Sequence, residues 1–170
     1  PYIALRPTGV YGPREKDYYL MFKSIKYGID FGVGYRKQLL TFIYIKDLVN
    51  AIFAALESPI SRKGYFLSED RAYSAGEFRH YVAQALHKHF VLPVIVPCWA
   101  LWIISAIAEW VAGKMGKTST LNRDKYHIMC QRNWLCDISE AKQELGFTPQ
   151  YSLKEGIQES IAWYKAHRWL

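Results

Sequence analysis

The stretch PYIALRPTGVYGPRE, Pro1 to Glu15, constrains this chain more than any other. Tyr2 to Arg6 is an apolar run, and Pro7 behind it holds Arg6 in extended backbone. The run reads as a strand that is apolar on both faces. A central parallel strand has that pattern, because helices cover both sides of such a sheet. Thr8 to Pro13, punctuated by Gly9, Gly12 and Pro13, reads as a loop leaving that strand. Parallel neighbours can join the strand only through crossovers, usually helical. The remainder of the chain is therefore expected to alternate strands with helices, and some neighbours are expected to lie upstream of Pro1.

That alternation is visible. Lys16 to Tyr27 has the spacing of an amphipathic helix stopped by Gly28. Ile29 to Val33 reads as a short strand before a Gly34–Lys37 turn. Leu39 to Ile45, LLTFIYI, is β-branched and aromatic and reads as one strand. Asp47 then suits the N-cap of a well-buried helix, Leu48 to Glu57, closed by Pro59. Gly64 to Asp70 reads as another strand. Ser74 with Glu77 forms a capping-box signature for a helix to about His87. Further helices are expected from Cys98 to Ala112, from about Asn122 to Cys130, from Asp137 or Ser139 to Gly146, and from Leu153 to His167. This is a mixed α/β pattern with few, short strands.

Composition narrows the function classes. Over 170 residues, 51% are hydrophobic and 16% aromatic, enough for a core and against disorder. The net charge of +7 is scattered, with the densest groups at Arg36–Lys37, Arg62–Lys63 and Lys114–Lys117. Arg123, Lys125 and Arg132 are interrupted by Asp124, so no nucleic-acid partner is expected. Cys98, Cys130 and Cys136 have no metal-like spacing and read as reduced thiols. The first residues lack the charged lead-in of a secretory leader, and a cytoplasmic location is expected. Phe90 to Ala108 carries no charge. Pro93 and Pro97 break it into an extended piece and a helix too short to span comfortably, so it reads as substrate-domain core or as an interfacial helix.

Few constellations suggest chemistry. GVGYRK, Gly32 to Lys37, precedes a strand and lacks the third glycine of a dinucleotide turn. Tyr19 and Lys23 share a helix face, where a lysine can lower a phenol pKa, but a chain with 13 tyrosines offers such pairs by chance. His80, His87, His89, His127 and His167 accompany no nucleophile or carboxylate motif and read as surface residues; no metal site is expected.

Four blocks in order, ALRPTGVYGPRE, TFIYIKDLVNAIFAAL, GYFLSEDRAYSAGEF and CDISEAKQELGFTPQYSLKEGIQESIAWYKAHRWL, resemble the C-terminal half of the extended short-chain dehydrogenase/reductases, the NAD(P)-dependent epimerase/dehydratase family. The resemblance covers nearly the whole chain. It implies an α/β fold: the C-terminal part of a Rossmann-type fold, with one or two late parallel strands, plus a mostly helical substrate-binding subdomain with short strands. Residues 1–170 would be a single fragment, with the nucleotide-binding N-terminal half absent.

Carried over by position, Pro7, Thr8, Gly9 and Val10 would bind the cofactor near the nicotinamide. Tyr11, Arg14, Gln38, Leu40 and Tyr44 would face the substrate. Tyr44 and Asp47 match the family's His/Tyr and final Asp positions, while Lys46 departs from the usual first Asp. Leu40 stands where nucleotide-sugar members often carry an arginine for the diphosphate, which weakens that substrate class and keeps hydroxysteroid- or dihydroflavonol-type reductases open. The family's glycine-rich turn and its catalytic Ser/Thr and Tyr-x-x-x-Lys precede the Arg-Pro strand. No catalytic residue is therefore expected here, and Tyr19 and Lys23 lie on the wrong element.

The resemblance thus implies the substrate-binding portion of an NAD(P)-dependent epimerase, dehydratase or dehydrogenase acting on a nucleotide sugar or a hydroxy/keto substrate. The portion alone is expected to be inactive. NAD or NADP would belong to the full-length parent, with no tight binding by the fragment. Expected partners are a small-molecule substrate, the missing N-terminal half and, through an open strand edge, further copies of the chain. A non-catalytic module on a membrane surface is the lesser alternative.

Overall fold

A computed structural model describes residues 1–116, 123–131 and 133–170. Lys117, Asn122 and Arg132 lie outside the described residues, as do the side chains of Arg123, Asp124 and Lys125. In chain order the elements are β1 (Ile3–Pro7), β2 (Gly9–Tyr11), α1 (Lys16–Lys26), β3 (Ile29–Val33), β4 (Leu39–Leu40), β5 (Phe42–Tyr44), α2 (Ile45–Glu57), β6 (Lys63–Leu67), β7 (Tyr73–Ser74), α3 (Ala75–Ala85), β8 (Leu92–Val96), α4 (Cys98–Lys114), α5 (Arg123–Met129), β9 (Asn133–Trp134), α6 (Ser139–Leu145) and α7 (Leu153–Ala166).

The parallel strands implied by the resemblance are present. β1 and β6 run parallel, from Ile3 opposite Lys63 to Pro7 opposite Leu67, with α2 packed against β1 as the crossover. Two further parallel pairs, β2 with β5 and β3 with β8, and a small sheet in the order β7-β4-β9 complete the strands among the described residues.

Three local expectations need correction. Gly9 to Tyr11 is strand rather than loop, because β5 offers it a parallel partner. Leu39 to Ile45 is not one strand. Thr41 interrupts it, with its amide and hydroxyl both donating to the Trp134 carbonyl at 3.0 and 2.6 Å. The chain thereby changes sheets, β4 pairing with β7 and β9 while β5 pairs with β2. Asp47 does not cap α2, which begins at Ile45 with Tyr44 as a cap residue that makes no side-chain bond.

Two clusters make the core. Tyr11, Phe22, Phe42, Tyr44, Phe78, Ile157, Ile161 and Tyr164 knit α1, α3 and α7 to β2 and β5. Ile43, Tyr65, Leu67, Ala141 and Phe147 fill the space between β6, α2 and α6. The first is built of aromatics meeting mostly edge to face or tilted, as Tyr11 and Phe42 do at 6.2 Å. Ser74–Glu77 and Ser152–Glu155 form full capping boxes at α3 and α7, and Gly146 closes α6 in the left-handed conformation.

Candidate functional site

Thr8 leaves β1 and bonds back to β6, its amide donating to the Leu67 carbonyl at 3.0 Å. β2 then lies along β5 with Gly9 opposite Phe42, Val10 opposite Ile43 and Tyr11 opposite Tyr44. Six expected site residues, Pro7, Thr8, Gly9, Val10, Tyr11 and Tyr44, therefore meet at the carboxyl ends of β1 and β6. In open α/β sheets that end is where ligands bind.

The loop is held along much of its length. The Tyr11 hydroxyl donates to the Ser152 carbonyl at 3.4 Å. The Tyr164 hydroxyl lies 2.8 Å from the Gly12 carbonyl and 2.6 Å from that of Glu15. Glu15 caps α1, its carboxylate accepting from the amides of Asp17 and Tyr18 at 2.9 and 2.6 Å. Arg14, exposed at the tip, is left-handed with φ of 70°, a conformation a non-glycine residue adopts only when its surroundings impose it. Apart from the local Glu15 cap, this ordering comes from Ser152 and Tyr164, more than a hundred residues downstream, so it is tertiary in origin.

The site residues differ in what they leave open. Pro7 and Arg14 are exposed, and Thr8 and Val10 are half-buried. These four residues leave surface open to a neighbouring group. At Gly9 a Cβ would lie against the Tyr18 hydroxyl and 3.3 Å from the Phe42 ring. Its lack of a side chain serves aromatic packing. Tyr11 and Tyr44 are buried, their rings 5.4 Å apart. The Tyr44 hydroxyl is buried without a hydrogen-bond partner in a chain whose other buried tyrosines are well engaged. Burial, then the negative charge of Glu159, pushes its pKa upward. Leu40 is half-buried in β4 between Tyr73 and Trp134. The Gln38 amide donates to the carbonyls of Met129 and Gln131 at 2.9 and 2.8 Å, tying the α5 end to β4. Gln38 and Leu40 thus sit one sheet away from the β2–β5 pair, joined to it through Thr41.

Two carboxylates under the site were not singled out as site residues. Glu69 follows β6, and its carboxylate accepts from the Tyr73 hydroxyl and from the Leu153 amide at 3.0 Å. Burial raises its pKa, opposed by those two hydrogen bonds. Asp47 accepts from the amides of Gln150 and Tyr151, both at 3.1 Å. Together they fasten the loop before α7 beneath Tyr11, whose own pKa burial and then the Glu69 charge drive upward. The acidic pair in SED, Ser68 to Asp70, carried the signal, but nothing local says that Glu69 turns inward. Tyr19 donates to the Trp169 carbonyl at 2.6 Å, with Lys23 over its ring, so the pair braces the C-terminus. No group of histidine, cysteine and carboxylate side chains able to hold a metal occurs among the described residues.

No family model matches the chain. Among curated proteins it is 25% identical over 177 residues to the yeast Saccharomyces cerevisiae sterol-4-alpha-carboxylate 3-dehydrogenase, decarboxylating, covering 95% of this chain and 49% of that protein. It is 29% identical over 178 residues to human short-chain dehydrogenase/reductase family 42E member 1, covering 96% and 44%. It is 28% identical over 163 residues to the Vibrio cholerae UDP-glucose 4-epimerase, covering 93% and 45%. The chain thus spans about half the length of the curated relatives it matches. Of solved structures, the Bacillus cereus UDP-glucuronic acid 4-epimerase, in complex with UDP-glucuronic acid and NAD, superposes with a TM-score of 0.70 at 20% identity, covering 98% of this chain and 46% of that one. The UDP-glucose 4-epimerase of Thermotoga maritima, with UDP-glucose, gives 0.69 at 18% identity over 98% and 47%. Relatives of this chain are short-chain dehydrogenase/reductase and epimerase proteins, and its fold is the C-terminal part of their Rossmann-type architecture.

Proposed function

We propose that this chain is the substrate-binding portion of an NAD(P)-dependent oxidoreductase or epimerase, as its kinship with short-chain dehydrogenase/reductases suggests. The whole protein would pass a hydride between the nicotinamide and a substrate carbon bearing a hydroxyl or keto group. The observation that carries this reading is the parallel β2–β5 pair. It gathers Thr8, Val10 and Tyr44 at the carboxyl ends of β1 and β6, beside a turn fixed by Tyr11, Tyr164 and Glu15. Pro7, Thr8 and Val10 would border the nicotinamide, and Arg14 and Leu40 the substrate. The upstream half would supply the cofactor's phosphate site, the proton donor and neighbours for the open edges of β1 and β6.

Two arms test this. The full-length protein should retain or bind NAD or NADP, with Thr8→Trp weakening binding; a full-length protein that binds neither overturns the reading. The 170-residue chain alone should show no turnover. Oxidation of NADH or NADPH by the pure chain would contradict that part.

A specific observation favours an apolar substrate over a nucleotide sugar. By the family resemblance Leu40 takes the position at which nucleotide-sugar members often carry an arginine for the diphosphate, and its strand neighbours are Tyr73 and Trp134. A sterol-type alcohol should therefore be turned over by the full-length protein in preference to a UDP-sugar, and the reverse preference dismisses this choice.

A further inference from the structure

Nothing in the spacing of Cys98 and Cys130 links them, yet the fold brings them together. Cys98 opens α4 directly after β8, and Cys130 follows α5, the helix on which α4 packs. Both cysteines are free and half-buried, and their thiols are within hydrogen-bonding reach of each other. The Tyr126 hydroxyl, one turn back on α5, bonds the Cys130 sulfur as well. Cys136 lies apart from them, its thiol donating to the Ser68 hydroxyl at 3.3 Å. The stretch containing α4 is not the ordinary core expected of it, since Leu101 and Ser105 are the buried residues of that helix. Trp99, next to Cys98, is 69% exposed, so a small reagent can reach the pair.

The two thiols stand where two parts of the chain meet. On one side the Gly34 amide donates to the Val96 carbonyl at 2.9 Å, just past the carboxyl ends of β3 and β8. A Cβ on Gly34 would lie 3.3 Å from the Cys98 sulfur. On the other side, the Met129 and Gln131 carbonyls that flank Cys130 both accept from the Gln38 amide, and β9 beyond them lays Trp134 beside Leu40. A bond between the sulfurs would tie the β3–β8 end to the strand that carries Leu40.

We propose that Cys98 and Cys130 form a redox-sensitive modification site, closed by a low-molecular-weight disulfide such as oxidised glutathione and reopened by the corresponding thiol. In the first step the Cys98 thiolate attacks one sulfur of the small disulfide. That S–S bond breaks, a mixed disulfide forms on Cys98, and one small thiolate leaves and takes up a proton. In the second step the Cys130 sulfur gives its proton to solvent, attacks the Cys98 sulfur and expels the second small thiol. Two protein thiols are oxidised, and one small disulfide is reduced to two thiols. Cys98 attacks first, because burial, then the Cys98 thiol beside it, pushes the Cys130 thiol up, and only a thiolate is a good nucleophile. This chemistry needs nothing from the proposed function; its bearing on substrate, through Leu40, rests on that reading.

The test is peptide mapping of the full-length protein in glutathione buffers of rising oxidised fraction, with free thiols alkylated at the quench. A Cys98–Cys130 cross-linked peptide should appear as the oxidised fraction rises and disappear under excess reduced glutathione, while Cys136 stays open to alkylation. Cys130→Ser should retain glutathione on Cys98 as a lasting mixed disulfide. Cys98→Ser should leave Cys130 reacting about tenfold more slowly than Cys98 does. In the cross-linked protein the amides of Cys130 and Gln131, which donate to the Tyr126 and Ile128 carbonyls, should exchange about tenfold more slowly. No cross-link in fully oxidised glutathione overturns the proposal. So does a cross-link found only between chains, or one that takes in Cys136 as readily as Cys130. Equal reactivity of the two thiols in the serine variants overturns the order of attack. Each outcome is read on peptides whether or not the protein binds NAD or NADP, so the two readings fail separately.

Discussion

A single methyl group is enough to probe how α7 holds the loop. A Cβ on Gly156 would approach within 2.8 Å of the Tyr11 ring, and both residues are buried. The ring cannot retreat, because Phe42 meets it edge-on and Tyr44 lies tilted against it. Gly156→Ala should destabilise the chain by about 1–3 kcal/mol in urea unfolding. Tyr11→Phe in the same molecule should restore part of the loss, since it deletes the hydroxyl that meets the new methyl. Glu69 offers a second test at this scale. Its folded pKa lies above the ordinary carboxylate value, because burial outweighs its hydrogen bonds. Between the two values the folded chain holds a proton that the unfolded chain has released. Stability therefore falls as pH rises through that window and is level below it. Unfolding measured across pH should show this decline, and Glu69→Gln should flatten it relative to the parent chain.

At the level of elements, the sequence was most legible where a single stretch carries its own reason. α3 and α7 announce themselves by Ser74–Glu77 and Ser152–Glu155, and α6 ends at Gly146, because caps and left-handed turns depend on neighbours within a few residues. β1 was legible as a parallel strand from an apolar run closed by Pro7, although its partner β6 was not. What stayed hidden depends on partners far along the chain. Thr41 splits an unbroken β-like run because Trp134 takes its hydrogen bonds. Gly9 to Tyr11 becomes strand because β5 is there to pair. Asp47 has the residue type of an N-cap, yet its carboxylate serves the amides of Gln150 and Tyr151, so residue type alone could not distinguish the roles. Likewise the candidate site was legible as a loop, while the Tyr164 and Ser152 contacts that fix it were not. The Asp47 role makes a prediction. Asp47→Ala would orphan two amides in a half-buried loop, costing about 1–3 kcal/mol for each that water cannot reach. Hydrogen exchange should show Gln150 and Tyr151 losing protection while Lys63 to Leu67 in β6 keeps its own; equal loss in both places would mean that Asp47 holds the whole fold rather than this loop.

For the molecule as a whole, the unsatisfied surfaces say more than the filled ones. β1 and β6 each have one strand partner among the described residues, so each leaves a row of backbone donors and acceptors open. Beside them α2 exposes Val49, Ile52, Phe53 and Leu56, with Leu56 75% accessible. An open edge and an apolar helix stripe on one unit are what a continued parallel sheet with covering helices would bury. If the proposed upstream half fills this place, the isolated chain should associate as its concentration rises, and sedimentation velocity should detect it. Phe53→Asp with Leu56→Lys should suppress the association, because charges on the stripe oppose its burial, while leaving α7 and its loop intact. Supplying the upstream half as a separate chain should replace self-association with a one-to-one complex. A chain that stays monomeric at high concentration and takes up no upstream half would show that this face needs no cover, and the proposed division of labour between the two halves would fall with it.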